Sequence, residues 1–207
     1  MIGAIMRTRS LAIKSIATIS LTLLVIFSFL VPRPASAHTD LNSRQISMRF
    51  AQIGNSYEVG DALSDEDAAF VLAYADKSDV QEVQPRSGTN INKSFTSYGV
   101  TANLSGNIWH NALTVHEWGG NLTGTITSGL TPKHMRVYAR VQAYGVGADG
   151  TVSLGYSDVL ENESFNSRRV SMNQSSSYGG FYPLSYVTSG LVVTTASGDI
   201  FSFEGDW

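Results

Sequence analysis

From Ser94 to the end of the chain, apolar and polar residues alternate with a period of two, and short runs of Gly, Ser, Asn and Asp interrupt the alternation. This pattern predicts antiparallel strands joined by tight turns, each sheet burying one face. The clearest run is His134–Tyr144. Met135, Val137, Ala139, Val141 and Ala143 take one face, and Arg136, Tyr138, Arg140, Gln142 and Tyr144 the other. Asp149-Gly150 predicts the next turn and sets Ala143 opposite Tyr156 and Gly145 opposite Leu154. Within Ala112–Thr127, Gly119-Gly120 predicts a two-residue hairpin that pairs Trp118 with Asn121 and Leu113 with Ile126. On that register Leu113, Val115, Leu122 and Ile126 are buried, while Thr114, His116, Trp118, Thr123 and Thr125 form a polar face.

Phe95–Leu104 reads as the first strand and Arg168–Asn173 as a short one with Val170 and Met172 inward. A closing hairpin turns around Ser197-Gly198-Asp199, with Val192, Thr194, Phe201 and Phe203 on one face. Val159–Asn166 and Gln174–Pro183 read as connections. The expected fold is mainly β: an antiparallel β-sandwich or barrel of about seven to eight strands over residues 94–207.

The chain before it is organised differently. Ser64 offers an N-cap, Asp65, Glu66 and Asp67 suit the positive end of a helix, and Ala68, Val71, Leu72 and Ala75 fall on one side. A helix near residues 64–76 is therefore expected, packed on the β-domain because about three turns do not persist alone. Ser47–Ile53 gives a weak strand or loop signal, and Ser78–Asn92 reads as a polar linker. Residues 38–93 thus form an N-terminal extension with one helix and a linker. Its acidic part, His38–Pro85, has nine acids against three basic residues, a net of −6. If the linker is cut, that part is a propeptide.

Residues 1–37 have the layout of a secretory signal: Arg7, Arg9 and Lys14, then an apolar run, then Ala35-Ser36-Ala37. The uncharged stretch Ser15–Pro32 spans 18 residues, which would serve as a membrane anchor if the signal stayed uncleaved. The chain has no cysteine. Its core must stand without disulfides, as in many exported bacterial proteins, and thiolate metal sites are excluded. Without the leader's four basic residues, ten Lys and Arg face 17 Asp and Glu, a net charge of −7. That surface repels nucleic acid.

Two faces are candidates for recognition. Trp118, His116, Thr114 and Asn121 supply an aromatic platform beside short hydrogen-bonding groups, suited to carbohydrate or peptide. Arg136, Tyr138, Arg140 and Tyr144 suit a protein partner, because Arg and Tyr are enriched at interfaces. No metal is expected at His110 and His116, which a continuous strand holds about 20 Å apart. The acids Asp158, Glu161 and Glu163 lack the spacing of a calcium loop. No catalytic motif and no cofactor signature occurs, which points away from an enzyme. The reading is a secreted, non-catalytic binding or interaction module acting outside the cell on carbohydrate or another protein. The alternatives are a membrane-active toxin with a removable acidic pro-region, and a secreted hydrolase whose carboxylates meet only in the fold.

Overall fold

The computed structural model describes residues 41–77, 87–111 and 115–204. The signal segment 1–37, the linker residues 78–86, Ala112, Leu113, Thr114 and the terminal Trp207 lie outside the described residues.

Residues 41–204 belong to one compact unit that opens with two helices. The first, α1 (Ser43–Ser56), is closed by a capping box: the Asn42 side chain accepts from the Gln45 amide and the Gln45 side chain accepts from the Asn42 amide. The helix replaces the strand or loop expected at Ser47–Ile53. Its buried stripe, Ser47, Phe50 and Ile53, recurs every third residue, and over so short a window that spacing passes for alternation. The second, α2 (Asp65–Tyr74), begins where expected, with the Ser64 side chain accepting from the Asp67 amide.

Among the described residues nine strands follow: β1 (Asp76–Lys77), β2 (Ser87–Ser97), β3 (Val100–Asn111), β4 (Val115–Ser128), β5 (His134–Val146), β6 (Val152–Phe165), β7 (Arg169–Gly179), β8 (Leu184–Thr194) and β9 (Ile200–Glu204). They form two antiparallel sheets, so the fold is a β-sandwich. One sheet has the order β2-β3-β4-β7; the other runs β1-β8-β5-β6, with β9 also paired to β8. The core between them includes Leu104, Trp118, Leu122 and Ile126 from the first sheet and Met135, Val137, Val141, Leu191 and Val193 from the second.

Several expected boundaries move. Phe95–Leu104 is not one strand: the chain reverses at Tyr98-Gly99, whose φ values of 48° and 70° put both central residues in the left-handed region. Tyr is an unusual occupant there, which hides the turn from a composition-based reading. Ser87–Asn92 belongs to β2 rather than to a linker. Val159–Asn166 is mostly the second half of β6, and Gln174–Gly179 completes β7. Near the Asp149-Gly150 turn Tyr144 pairs with Leu154 and Gly145 with Ser153, one residue off the expected register; a bulge at Ala143/Tyr144 then restores Ala143 opposite Tyr156. In the last hairpin Val193 pairs with Phe201 and Leu191 with Phe203, so these four share a face and Val192 and Thr194 lie on the other.

The main correction concerns Gly119-Gly120. No turn occurs there. β4 runs straight through both glycines, pairing Gly119 with Trp109 and Gly120 with Ile108. β3 ends at Asn111 and β4 begins at Val115, so the reversal lies before β4 and not within it. Moving it inverts the faces: His116, Trp118, Leu122 and Ile126 point inward together, and Val115, placed in the expected core, is 55 % exposed.

The two long sides of the sandwich are closed differently. Asn162 Nδ2 donates to the Ser171 carbonyl (2.7 Å) and Gln174 Nε2 to the Glu161 carbonyl (3.2 Å), lacing β6 to β7. On the other side Phe95 stacks on Phe203 (4.8 Å) and meets Phe201 edge-on (5.5 Å). The helices lie on the outer face of the β5 sheet, where Phe50, Ile53 and Val71 form a second core with Tyr144, Leu154 and Leu184. Phe50 stacks on Tyr186 at 3.8 Å. No described helix is long and apolar enough to cross a membrane.

Candidate functional site

The outer face of the β2-β3-β4-β7 sheet is built almost wholly from Asn, Ser and Thr. Cross-strand register arranges them in rows. One row is Asn92–Ser105–Thr123–Ser171. The next is Asn90–Asn107–Asn121–Asn173, asparagine on all four strands. Beyond it lies Gly88–Trp109–Gly119–Ser175. Among the described residues, charge on this face is confined to its ends, with Arg169 at one and Glu117 at the other. Side chains lace the rows distal to Trp109: Asn103 Nδ2 donates to Asn92 Oδ1 (3.1 Å) and Ser94 Oγ (3.1 Å), the Thr123 and Ser171 hydroxyls meet at 3.1 Å, and those of Thr96 and Thr101 at 3.0 Å. Each bond fixes a rotamer before any ligand arrives.

Trp109 is the one large aromatic side chain among these rows. Glycine makes its pose possible. A Cβ on Gly119 would sit 2.8 Å from indole Cζ2 and 2.5 Å from the Gln174 carbonyl oxygen. The half-buried ring therefore lies across the backbone of β4. With glycine on both neighbouring strands, no side chain stands beside the indole in its own row until Ser175, and the asparagine row runs alongside.

The residues expected to form the first recognition face are divided. Trp118 is fully buried and His116 is 3 % exposed. Both face the other sheet, because the hairpin register that put them outside does not exist. Thr114 lies outside the described residues. Asn121 is exposed and belongs to the asparagine row. Trp109, the aromatic side chain that the structure places in these outer rows, is not singled out by the sequence reading, although polar residues flank it at alternate positions in Asn107-Ile108-Trp109-His110-Asn111.

The second expected face is also divided. Tyr144 and Gln142 are buried, Tyr144 in the core beneath the helices. Tyr138 lies over Gly190 and donates to Glu204 Oε1 (2.7 Å); burial and the adjacent Glu204 carboxylate push its pKa up. Arg136 pairs with Glu161 (3.1 Å) and sits 5.7 Å from the Tyr138 ring centre, while Arg140 is half-buried on the same face. The acids Asp158, Glu161 and Glu163 lie along β6 instead of in a loop. Asp158 accepts from the Tyr156 hydroxyl (2.9 Å), and Glu163 lies 3.5 Å from His134.

One end of the sandwich interior holds an aromatic and histidine cluster. His110 and His116, expected far apart on one strand, sit on adjacent strands with ring centres 5.5 Å apart. His116 stacks on Tyr178 (4.6 Å), which stacks on Tyr156 (4.1 Å). His110 Nε2 meets the Tyr178 hydroxyl at 2.9 Å and its Nδ1 meets Ser185 Oγ at 3.3 Å, so this imidazole joins the two sheets. His116 Nε2 lies 3.2 Å from the Gly180 carbonyl. Burial, and secondarily the neighbouring His116, lower the His110 pKa to about 4; burial also lowers that of His116. Both rings are neutral at pH 7. Ser185 is 2 % exposed, so its contact with His110 braces the interior. Among the described residues no group of three His, Cys, Asp or Glu side chains gathers as a metal site.

The sequence matches no known family model and no curated protein. What the chain does must therefore follow from the chemistry of the site itself.

Proposed function

We propose that the chain is a secreted, non-catalytic module that binds uncharged carbohydrate through the outer face of the β2-β3-β4-β7 sheet. The observation that carries this reading is the Trp109 ring lying across Gly119 beside rows of neutral Asn, Ser and Thr, with charge only at Glu117 and Arg169 toward the ends of the face. A sugar ring has an apolar C–H face and a hydroxyl-bearing edge. The first suits an indole, which contributes large contact area at little entropic cost, and the second suits amides and hydroxyls held in place. A ligand with fixed charge would be desolvated here without a partner. Export rests on the signal-like residues 1–37, and the absence of cysteine fits an exported protein whose core suffices.

The packing of α1 and α2 favours a module over a toxin released by loss of its acidic segment. Removing them would bare Tyr144, Leu154 and Leu184, all of which the helices help to bury.

The reading is tested by glycan-array binding and then calorimetric titration of the protein lacking residues 1–37. Neutral glycans are expected to bind and acidic ones not. Trp109→Ala, with an unchanged circular dichroism spectrum, is expected to weaken binding at least about tenfold. Wild-type affinity in the folded variant would overturn the assignment.

A further inference from the structure

The four-asparagine row gives the site a direction, and with it a class of ligand. Asn90 pairs with Asn107, Asn107 with Asn121, and Asn121 with Asn173, so one carboxamide stands on every strand of the sheet along a line perpendicular to the strands. Adjacent strands lie 4.7–4.9 Å apart, which makes the line about 14 Å long and its rungs nearly equal in spacing. Among the described residues none of the four side chains has another side chain or backbone group as hydrogen-bond partner, whereas the next rows are laced together. A carboxamide offers a donor and an acceptor at once. Four unspent carboxamides beside the glycine-flanked indole are a repeating array that asks for a repeating partner. The row carries no charge, and neither does the Gly88–Trp109–Gly119–Ser175 row beside it, which matches a ligand without charge.

We infer that the occupant is a linear, uncharged polysaccharide chain seated across the strands, one ring face on the Trp109 indole and successive sugar units hydrogen-bonded to Asn90, Asn107, Asn121 and Asn173. This rests on the carbohydrate reading above and adds the chain's course and its extended, unbranched form. A chain lying along a strand would meet the array only once, because the residues before and after Asn107 on that outer face are Ser105 and Trp109. Across the strands it meets the same chemistry at each step. Hydroxyl and acetamido groups are both served by a carboxamide, so plain and N-acetylated chains belong to one chemical class here.

The test uses two ligand series, cello-oligosaccharides and N-acetylated chito-oligosaccharides, from dimer to hexamer, titrated into the protein lacking residues 1–37. In at least one series affinity is expected to rise with each unit and level off near the tetramer, as the chain runs out of strands. The double variant Asn90→Ala/Asn173→Ala removes the outermost rungs from exposed positions and should fold normally. It is expected to lose about tenfold for the tetramer and to leave dimer binding unchanged. An equal loss for dimer and tetramer, no loss at either length, or binding of branched or charged glycans alone would overturn the ladder. If any of these other than binding of charged glycans alone occurs while Trp109→Ala still weakens binding at least about tenfold, the carbohydrate reading stands without the ladder; binding of charged glycans alone overturns both. If Trp109→Ala retains binding, or no glycan binds, both fall.

Discussion

At the scale of single residues, glycine decides where the aromatic platform goes. Gly119 and Gly120 invite a turn in a sequence reading, since paired glycines tolerate the positive φ of a hairpin. In the fold they serve close approach instead. Gly120 faces the core, where an added Cβ would come within 3.2–3.3 Å of Met172 and Ile108, and Gly119 lets the Trp109 ring lie down. Gly119→Ala is therefore expected to lift the indole off the sheet and cost about 1–3 kcal/mol of stability together with most of the glycan affinity. Gly88, on the other side of Trp109, is the control: there a Cβ meets nothing closer than 3.4 Å, so Gly88→Ala should be nearly neutral. Urea midpoints of the two variants check this, and equal midpoints would remove the close-approach argument. That distinction was not legible in the sequence, because a glycine needed for a turn and one needed for a neighbour's side chain look alike until the register is known.

At the scale of elements, legibility followed locality. Helix α2 was readable because its signals are its own: a serine cap, three acids in the first turn and a short apolar side. Ser64→Ala should lower the urea midpoint by an amount equivalent to about 1 kcal/mol, since the cap satisfies an otherwise orphaned amide. The β5 strand was readable because its alternation is long and unbroken. Strand ends, and the faces of β4 and β8, were not, because each depends on where a neighbouring strand begins. Helix α1 was missed although its Asn42–Gln45 capping box is a local signal: its apolar stripe is sparse and gains meaning only against Tyr144 and Tyr186 on the sheet beneath. Phe50 is fully buried at that seam. Phe50→Ala should cost about 3–5 kcal/mol by the cavity it opens. Where the variant stays folded its glycan affinity should be unchanged, because α1 packs on the sheet that does not carry Trp109; parallel loss of affinity by titration would contradict that separation.

At the scale of the whole molecule, the sandwich was foreseeable from periodicity, but what braces its two sheets was not. His110 and His116 are six positions apart in sequence, and only the reversal between β3 and β4 stacks them. The brace has a pH dependence whose sign follows from burial. In the unfolded chain His110 titrates near 6.5, and in the fold near 4. Between those values the unfolded state takes up a proton that the native state refuses, so stability is full above about pH 6.5 and is lost as the pH falls toward 4. The penalty does not come from a broken hydrogen bond, because the Tyr178 and Ser185 hydroxyls can each accept from an imidazolium. It comes from desolvating a cation and from the adjacent His116, whose own lowered pKa acts in the same sense. The groups facing the pair from β6 and β7 are the Tyr156 and Tyr178 phenols, uncharged throughout this range, and Asp158, which engages the Tyr156 hydroxyl. A shift of this size corresponds to a loss on the order of 3 kcal/mol. Urea midpoints measured between pH 7 and pH 4 should therefore drop in the native sequence. They should drop much less in His110→Gln, which has no proton to gain yet keeps polar atoms for the two hydroxyls, although its midpoint at pH 7 will be lower. A native midpoint that holds steady down to pH 4 would mean that His110 is reached by water and does not brace the sheets as a buried neutral ring.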